Sequence, residues 1–118
     1  MRSRLDLVKN WDRRAQEAGY SASNMARKLG VTLRRLEKFF QERFRSAPHV
    51  WMLQGRMQRA ARLLMRGNSA KTVTTLIGYK QASHFSREFK RFFGMSPRDF
   101  LFRKRRQRGE KAFRAVRV

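Results

Sequence analysis

SAKTVTTLIGYKQASHFSREFKRFFGMSPRDF, residues 69–100, is the stretch whose reading decides the fold. Ser69 stands where a helix cap belongs, and Val73, Leu76 and Ile77 follow at helical spacing as its inward residues. Gly78-Tyr79 breaks that short helix. A second helix is predicted from about Gln81 to Phe93, burying Phe85, Phe89 and Phe92/Phe93. Gly94-Met95-Ser96-Pro97 then opens a final helix containing Phe100 and Leu101, with proline suited to its first turn. Two short helices joined by a tight turn have the spacing of a helix-turn-helix.

The same pattern stands earlier in the chain. Leu36 and Phe85, Phe40 and Phe89, Phe44 and Phe93, Pro48 and Pro97, and Trp51 and Phe100 are each 49 positions apart. Gly30 and Gly78 are 48 apart, so the second turn has gained one residue. The first copy is predicted as a short helix capped by Ser21 or Ser23, carrying Met25, Ala26 and Leu29 inward and closed by Gly30. Thr32 caps the next helix, whose apolar stripe is Leu33, Leu36, Phe39/Phe40 and Phe44.

Upstream, Leu5, Val8, Trp11, Ala15 and Ala18 predict a helix from about Ser3 to Ala18, ended by Gly19-Tyr20. Between the copies, Ser46-Ala47-Pro48 opens the longest helix, with serine at the cap, which stops at Gly67-Asn68. The expected architecture is all-α, with about seven helices in two helix-turn-helix lobes joined by a long connecting helix. Its divisions are a first lobe over 1–47, the connecting helix over 48–67, a second lobe over 68–106 and a basic tail over 107–118. Eight Lys or Arg crowd Leu101–Val118, where Gly109 interrupts the tract, so the last helix is expected to fray after about Arg106.

Composition narrows the partner. The 118 residues carry 30 Lys plus Arg against 8 Asp plus Glu, a formal charge of +22, far above the magnitude of about 2–8 that solubility needs. Such self-repulsion points to a polyanion, nucleic acid before an anionic membrane. Hydrophobic residues make up 41%, too many for a disordered basic tail. Cysteine is absent, which excludes disulfides, thiolate metal sites and cysteine nucleophiles. The longest apolar run, Val50–Leu53, falls far short of a membrane span of about 20 residues. Asp6 interrupts the apolar stretch after the positive N-terminus, so no secretory signal is read there. His49 and His84 have no acidic pair at ligand spacing, and neither a phosphate loop nor a nucleophile turn occurs. No enzyme, metal or cofactor is expected.

Val73-x4-Gly78-Tyr79-x3-Ser83-His84-Phe85-Ser86-Arg87-x-Phe89-Lys90-Arg91-x2-Gly94-x-Ser96-Pro97-x2-Phe100 resembles the AraC/XylS family of bacterial transcription regulators. The first lobe is similar at Met25-Ala26, Leu36-x2-Phe39-Phe40, Pro48-x2-Trp51 and Arg56-Met57-x2-Ala60-x2-Leu63-Leu64, so the likeness covers roughly Leu5 to Arg103. It departs from the family pattern at Thr74, where alanine is usual, and at Leu101, where arginine is frequent. Thr32 replaces the usual serine of the first turn.

The resemblance implies seven helices, double-stranded DNA held in the major groove, and regulation through RNA polymerase. Many members carry a separate effector domain. This chain looks like the short stand-alone members or an excised DNA-binding domain, acting in the cytoplasm on the bacterial nucleoid and without membrane attachment.

Helical geometry nominates the readers. Arg34 and Lys38, four apart, share a face of the third helix, with Arg35 beside them. On the sixth helix Gln81, Ser83, His84 and Arg87 project away from Phe85 and Phe89. The family's base-reading positions fall on Arg34, Lys38, Gln81, Ala82, Ser83, Ser86 and Arg87. Phosphate contacts are expected from Thr32, Arg56, Lys80, Lys90, Arg91, Arg98 and Arg103. Glu37 is expected to pair with Arg34. The leading expectation is a DNA-binding activator working as a monomer, with an RNA-binding protein and a cationic membrane-surface protein as the competing classes.

Overall fold

The computed structural model describes residues 4–116, with side-chain surroundings over 4–108. Seven α-helices follow a short 3-10 turn at Arg4–Leu7, and no strand occurs among the described residues. They are α1 (Trp11–Glu17), α2 (Ala22–Leu29), α3 (Leu33–Phe44), α4 (Pro48–Met65), α5 (Ala70–Leu76), α6 (Ala82–Phe93) and α7 (Pro97–Val116). The chain divides into one unit up to Gln58 and another from Arg59, and the division falls inside α4.

Local chemistry sets most boundaries. Ser21, Thr32, Ser69 and Ser96 each accept a backbone N–H three residues on, from Asn24, Arg35, Thr72 and Asp99, at 3.1–3.3 Å. Of the two serines expected before α2, Ser21 is the cap. Four helices end alike, with an N–H returning to a carbonyl five residues back: Tyr20 to Ala15, Val31 to Ala26, Asn68 to Leu63 and Tyr79 to Thr74. Val31–Ala26 and Tyr79–Thr74 are equivalent under the 48-residue offset. From the next helix on the offset is 49, so the extra residue lies in the second turn.

In the first unit Phe40 is wholly buried at the centre of an aromatic cluster. Trp11 lies 5.0 Å from it edge-on, Phe44 4.9 Å and Trp51 5.4 Å, centroid to centroid. Leu5, Met25, Leu36 and Met52 complete the core. In the second unit Phe89 has the same role, against Phe85 at 5.6 Å, Phe93 at 4.5 Å and Phe100 at 5.4 Å. Thr74 is buried there, and its hydroxyl donates to the Ala70 carbonyl at 2.7 Å. That bond is how a polar group is accommodated where the family pattern has alanine.

Several expectations are corrected. The helix predicted from Ser3 to Ala18 is two pieces, because the Asn10 side chain accepts the Arg13 N–H at 3.0 Å and starts α1 afresh; Ser3 lies outside the described residues. Ser46 does not cap α4: its hydroxyl donates to the Ala47 carbonyl. Leu33, Leu76 and Phe92 stand outward at 39%, 47% and 37% exposure, on the edges of stripes that their neighbours already fill. The last helix does not stop near Arg106 but runs to Val116, since one glycine among strong helix formers costs only about 1 kcal/mol. The remainder of the expected tail, residues 117–118, lies outside the described residues.

Arg45 caps α3 in the left-handed region at φ 56°, where the second copy has Gly94 at φ 78°. A side chain there is strained by about 1–2 kcal/mol. Arg45→Gly is expected to stabilise the first unit by about 0.5–1 kcal/mol after glycine's extra unfolded-state entropy is subtracted. Urea unfolding followed by tryptophan fluorescence checks this, and an unchanged or lowered midpoint refutes it.

Candidate nucleic-acid interface

Leu36 and Phe40 are fully buried, and this fixes the outward face of α3. At about 100° per residue, Arg34, Lys38, Gln41 and Glu42 fall within about 60° of the direction opposite that buried pair, and Glu37 lies on the flank, about 60° from Phe40. All five are exposed. Arg35 is exposed on an adjoining face, and its backbone N–H is held by the Thr32 cap. Among the described residues the side chains of Arg34, Arg35 and Lys38 make no ion pair or hydrogen bond. The expected Arg34–Glu37 pair does not form. Two cations one turn apart on a capped helix are therefore presented without intramolecular partners.

The second copy is built alike. Phe85 and Phe89 are fully buried on α6, leaving Ala82, Ser83 and Arg87 exposed and Ser86 half-buried. Gln81 occupies the cap position in extended backbone, yet its side chain makes no capping bond and is exposed. A glutamine amide at a helix start has the donor and acceptor that match an adenine edge. The entry into α6 is held differently from the entry into α3. The Tyr79 hydroxyl donates to the Glu88 carboxylate, whose other oxygen lies 3.6 Å from His84 Nε2. The Tyr79 and His84 rings meet edge-on at 5.1 Å. This clamp ties the turn to the helix and leaves Arg87 beside a shallow hollow shared with Arg91.

The expected phosphate-contacting residues have varied surroundings. Thr32, Lys80, Lys90, Arg91, Arg98 and Arg103 are exposed. Thr32 uses one lone pair of its hydroxyl to cap α3, and its O–H remains a donor. Lys90 and Arg91 lie in the last turn of α6, where cations also offset the helix dipole. Arg56 is different: it is half-buried, its guanidinium 5.2 Å above the Tyr20 ring, and so serves packing within the first unit. Sequence reasoning passed over the exposed positions of Leu33 and Glu37. The 49-residue register was the signal, since it maps them onto Ala82 and Ser86.

A family model described as a helix-turn-helix domain matches residues 25–105, a span that takes in most of α2 and all of α3 to α6. The chain belongs to the AraC/XylS helix-turn-helix family. Among this family's members it is 33% identical over 93 residues to the transcriptional activator NphR of a Rhodococcus species, covering 78% of this chain and 27% of that protein. It also resembles the crystal structure of an AraC-type transcriptional regulator from Chromobacterium violaceum, at 28% identity and a TM-score of 0.59, covering 69% of this chain and 73% of that one. A DNA-binding transcriptional dual regulator from Escherichia coli K-12 is 25% identical with a TM-score of 0.67, over 85% of this chain and 96% of that one. The AraC/XylS-type chain spans 20–29% of the length of the first curated relatives it matches. Among its described residues no group of three or more His, Asp or Glu could hold a metal ion, and no helix is long and apolar enough to cross a membrane.

Proposed function

We propose that this AraC/XylS-family chain is a sequence-specific double-stranded DNA-binding regulator of transcription, and an activator, whose helices α3 and α6 enter successive major grooves. One observation carries the reading. Two twelve-residue helices in one register bury equivalent apolar residues and expose partner-free Arg34 and Lys38 on the first, and Ser83 and Arg87 on the second. Arginine pairs bidentately with guanine, glutamine with adenine, and a small methyl such as that of Ala82 meets thymine. The names of the regulators that the chain resembles favour DNA over RNA or membrane.

RNA polymerase is the proposed protein partner, and the cytoplasm, on the nucleoid, the place of action. One chain supplies two reading helices, so a monomer suffices on one site. Gel filtration of the chain with a selected duplex is expected to give one chain per site, and two chains per site overturns that part.

Selection from a random duplex library tests the function directly, with two short preferred blocks about one turn apart as the expected outcome. Within that site Arg87→Ala is expected to cost about 1–3 kcal/mol on the selected sequence and little on random duplex. An equal loss on both shows that Arg87 touches only backbone.

A further inference from the structure

We infer that a basic hollow on the first unit, formed by the Arg4–Leu7 turn, α1 and the end of α2, binds a nucleoside polyphosphate. The hollow measures about 680 Å³, within the range of about 300–1,000 Å³ usual for small-molecule sites. Arg4, Lys9, Arg13, Arg14 and Lys28 line it, against one carboxylate, Glu17. None of these cations belongs to the proposed duplex-contacting set. Part of the rim is held in place: Glu17 pairs with Arg13 at 3.4 Å, and its carbonyl accepts from Lys28 Nζ at 2.7 Å, which joins α1 to α2. Arg4 lies across the turn that follows α2, its guanidinium only 2.8 Å from where a side chain on Gly30 would begin. Arg4, Lys9 and Arg14 have no carboxylate partner among the described residues.

Position and lining then choose among polyanions. Trp11 packs edge-on against Phe40, so α1 sits on the buried side of α3. Arg13 and Glu17 lie on the side of α1 away from buried Trp11 and Ala15. On the DNA reading proposed above, the duplex meets the opposite side of the unit, so these cations are not spent on it. Guanidinium forks take phosphate oxygens two at a time, and the neighbouring ammonium groups add point charge. Phosphate alone has no use for the rest of the lining, which is apolar: Leu7 is exposed, and Val8 and Leu29 are half-buried. Those side chains suit the face of a base. A nucleoside polyphosphate joins several negative charges to one such ring system within the length of a single hollow.

The test is calorimetric titration of the full chain with ATP, tripolyphosphate and adenosine, without divalent cations, and circular dichroism confirms equal helix content in each variant. One ATP per chain is expected, with tripolyphosphate about fivefold weaker or more and adenosine not bound. Lys9→Gln with Arg14→Gln is expected to weaken ATP about tenfold or more, since each removes a charged hydrogen-bond donor. Arg66→Gln with Lys71→Gln, which lowers the net charge equally on exposed residues elsewhere, is expected to weaken it by less than about twofold. Leu7→Asn is expected to weaken ATP and leave tripolyphosphate unchanged. Saturation with the selected duplex is expected to leave ATP affinity within about threefold. An equal loss in the two double variants means that net charge, not the hollow, holds ATP, and overturns the inference. Tripolyphosphate binding as tightly as ATP, displacement of ATP by the duplex, or no ATP binding also overturns it. The titrations without duplex decide the matter whether or not the chain selects a DNA sequence.

Discussion

Phe40→Ala is expected to cost the first unit about 3–5 kcal/mol, because a fully buried ring with four aromatic neighbours leaves a cavity that its surroundings cannot close. Edge-on and tilted pairs add about 0.5–1.5 kcal/mol beyond area burial. At about 0.05–0.15 kcal/mol per residue, a unit of this length has on the order of 3–9 kcal/mol in total, so the variant is mostly or marginally unfolded. The readout is clean, because both tryptophans, Trp11 and Trp51, belong to the first unit. With a urea dependence of about 1 kcal/mol per molar, the fluorescence midpoint should fall by about 3 M or be lost altogether. A shift under about 1 M means that the ring is not the keystone its contacts describe.

The second large effect is electrostatic. Affinity for the selected duplex is expected to fall with salt at a log–log slope of about −5 to −9, corresponding to about six to ten phosphates neutralised. Between 50 and 200 mM salt that amounts to about 10³–10⁵ in binding constant. On the proposed reading the exposed cations Lys80, Lys90, Arg91, Arg98 and Arg103 would supply five of those contacts, with Arg34, Arg35 and Lys38 flanking the bases. Filter binding or anisotropy across a salt series measures the slope directly. A slope shallower than about −3 means that the +22 charge is not spent on the duplex. Structured RNA competing as well as duplex DNA at equal salt refutes the reading from the other side. The burial of Phe40, Phe85 and Phe89 argues against that outcome, since these rings are not available for base stacking.

Much of the fold was legible because interior residues recur at helical spacing between strong punctuation. The caps at Thr32 and Ser69, the glycines at 30, 78 and 94 and the prolines at 48 and 97 bounded α2 to α6 to within a residue or two. The break at Asn10 was not legible, since Leu5, Val8 and Trp11 keep helical spacing straight through it, and only the side-chain bond to Arg13 reveals a new start. The extent of α7 was not legible, because dense like charge and Gly109 mask the helix propensity of the residues around them.

The same division holds at the interface. Buried Leu36, Phe40, Phe85 and Phe89 dictate by geometry that Arg34, Lys38, Ser83 and Arg87 face outward, and sequence gives that directly. The Tyr79–Glu88 clamp was beyond reach, because it requires knowing how the turn folds back on α6. The Arg34–Glu37 pair was a misreading of permission as compulsion: three-residue spacing allows exposed charges to meet, but the gain, well under about 1 kcal/mol, does not force them to.

The shared register of α3 and α6 makes scaffold and message independent of each other. What each helix hides is nearly interchangeable between the halves, whereas what it displays differs at every outward site: leucine for alanine, arginine for serine, lysine for arginine. A duplicated fold of this kind is free to rewrite its lettering one half at a time, so an asymmetric, two-word address is within reach of a single polypeptide that never has to alter its frame.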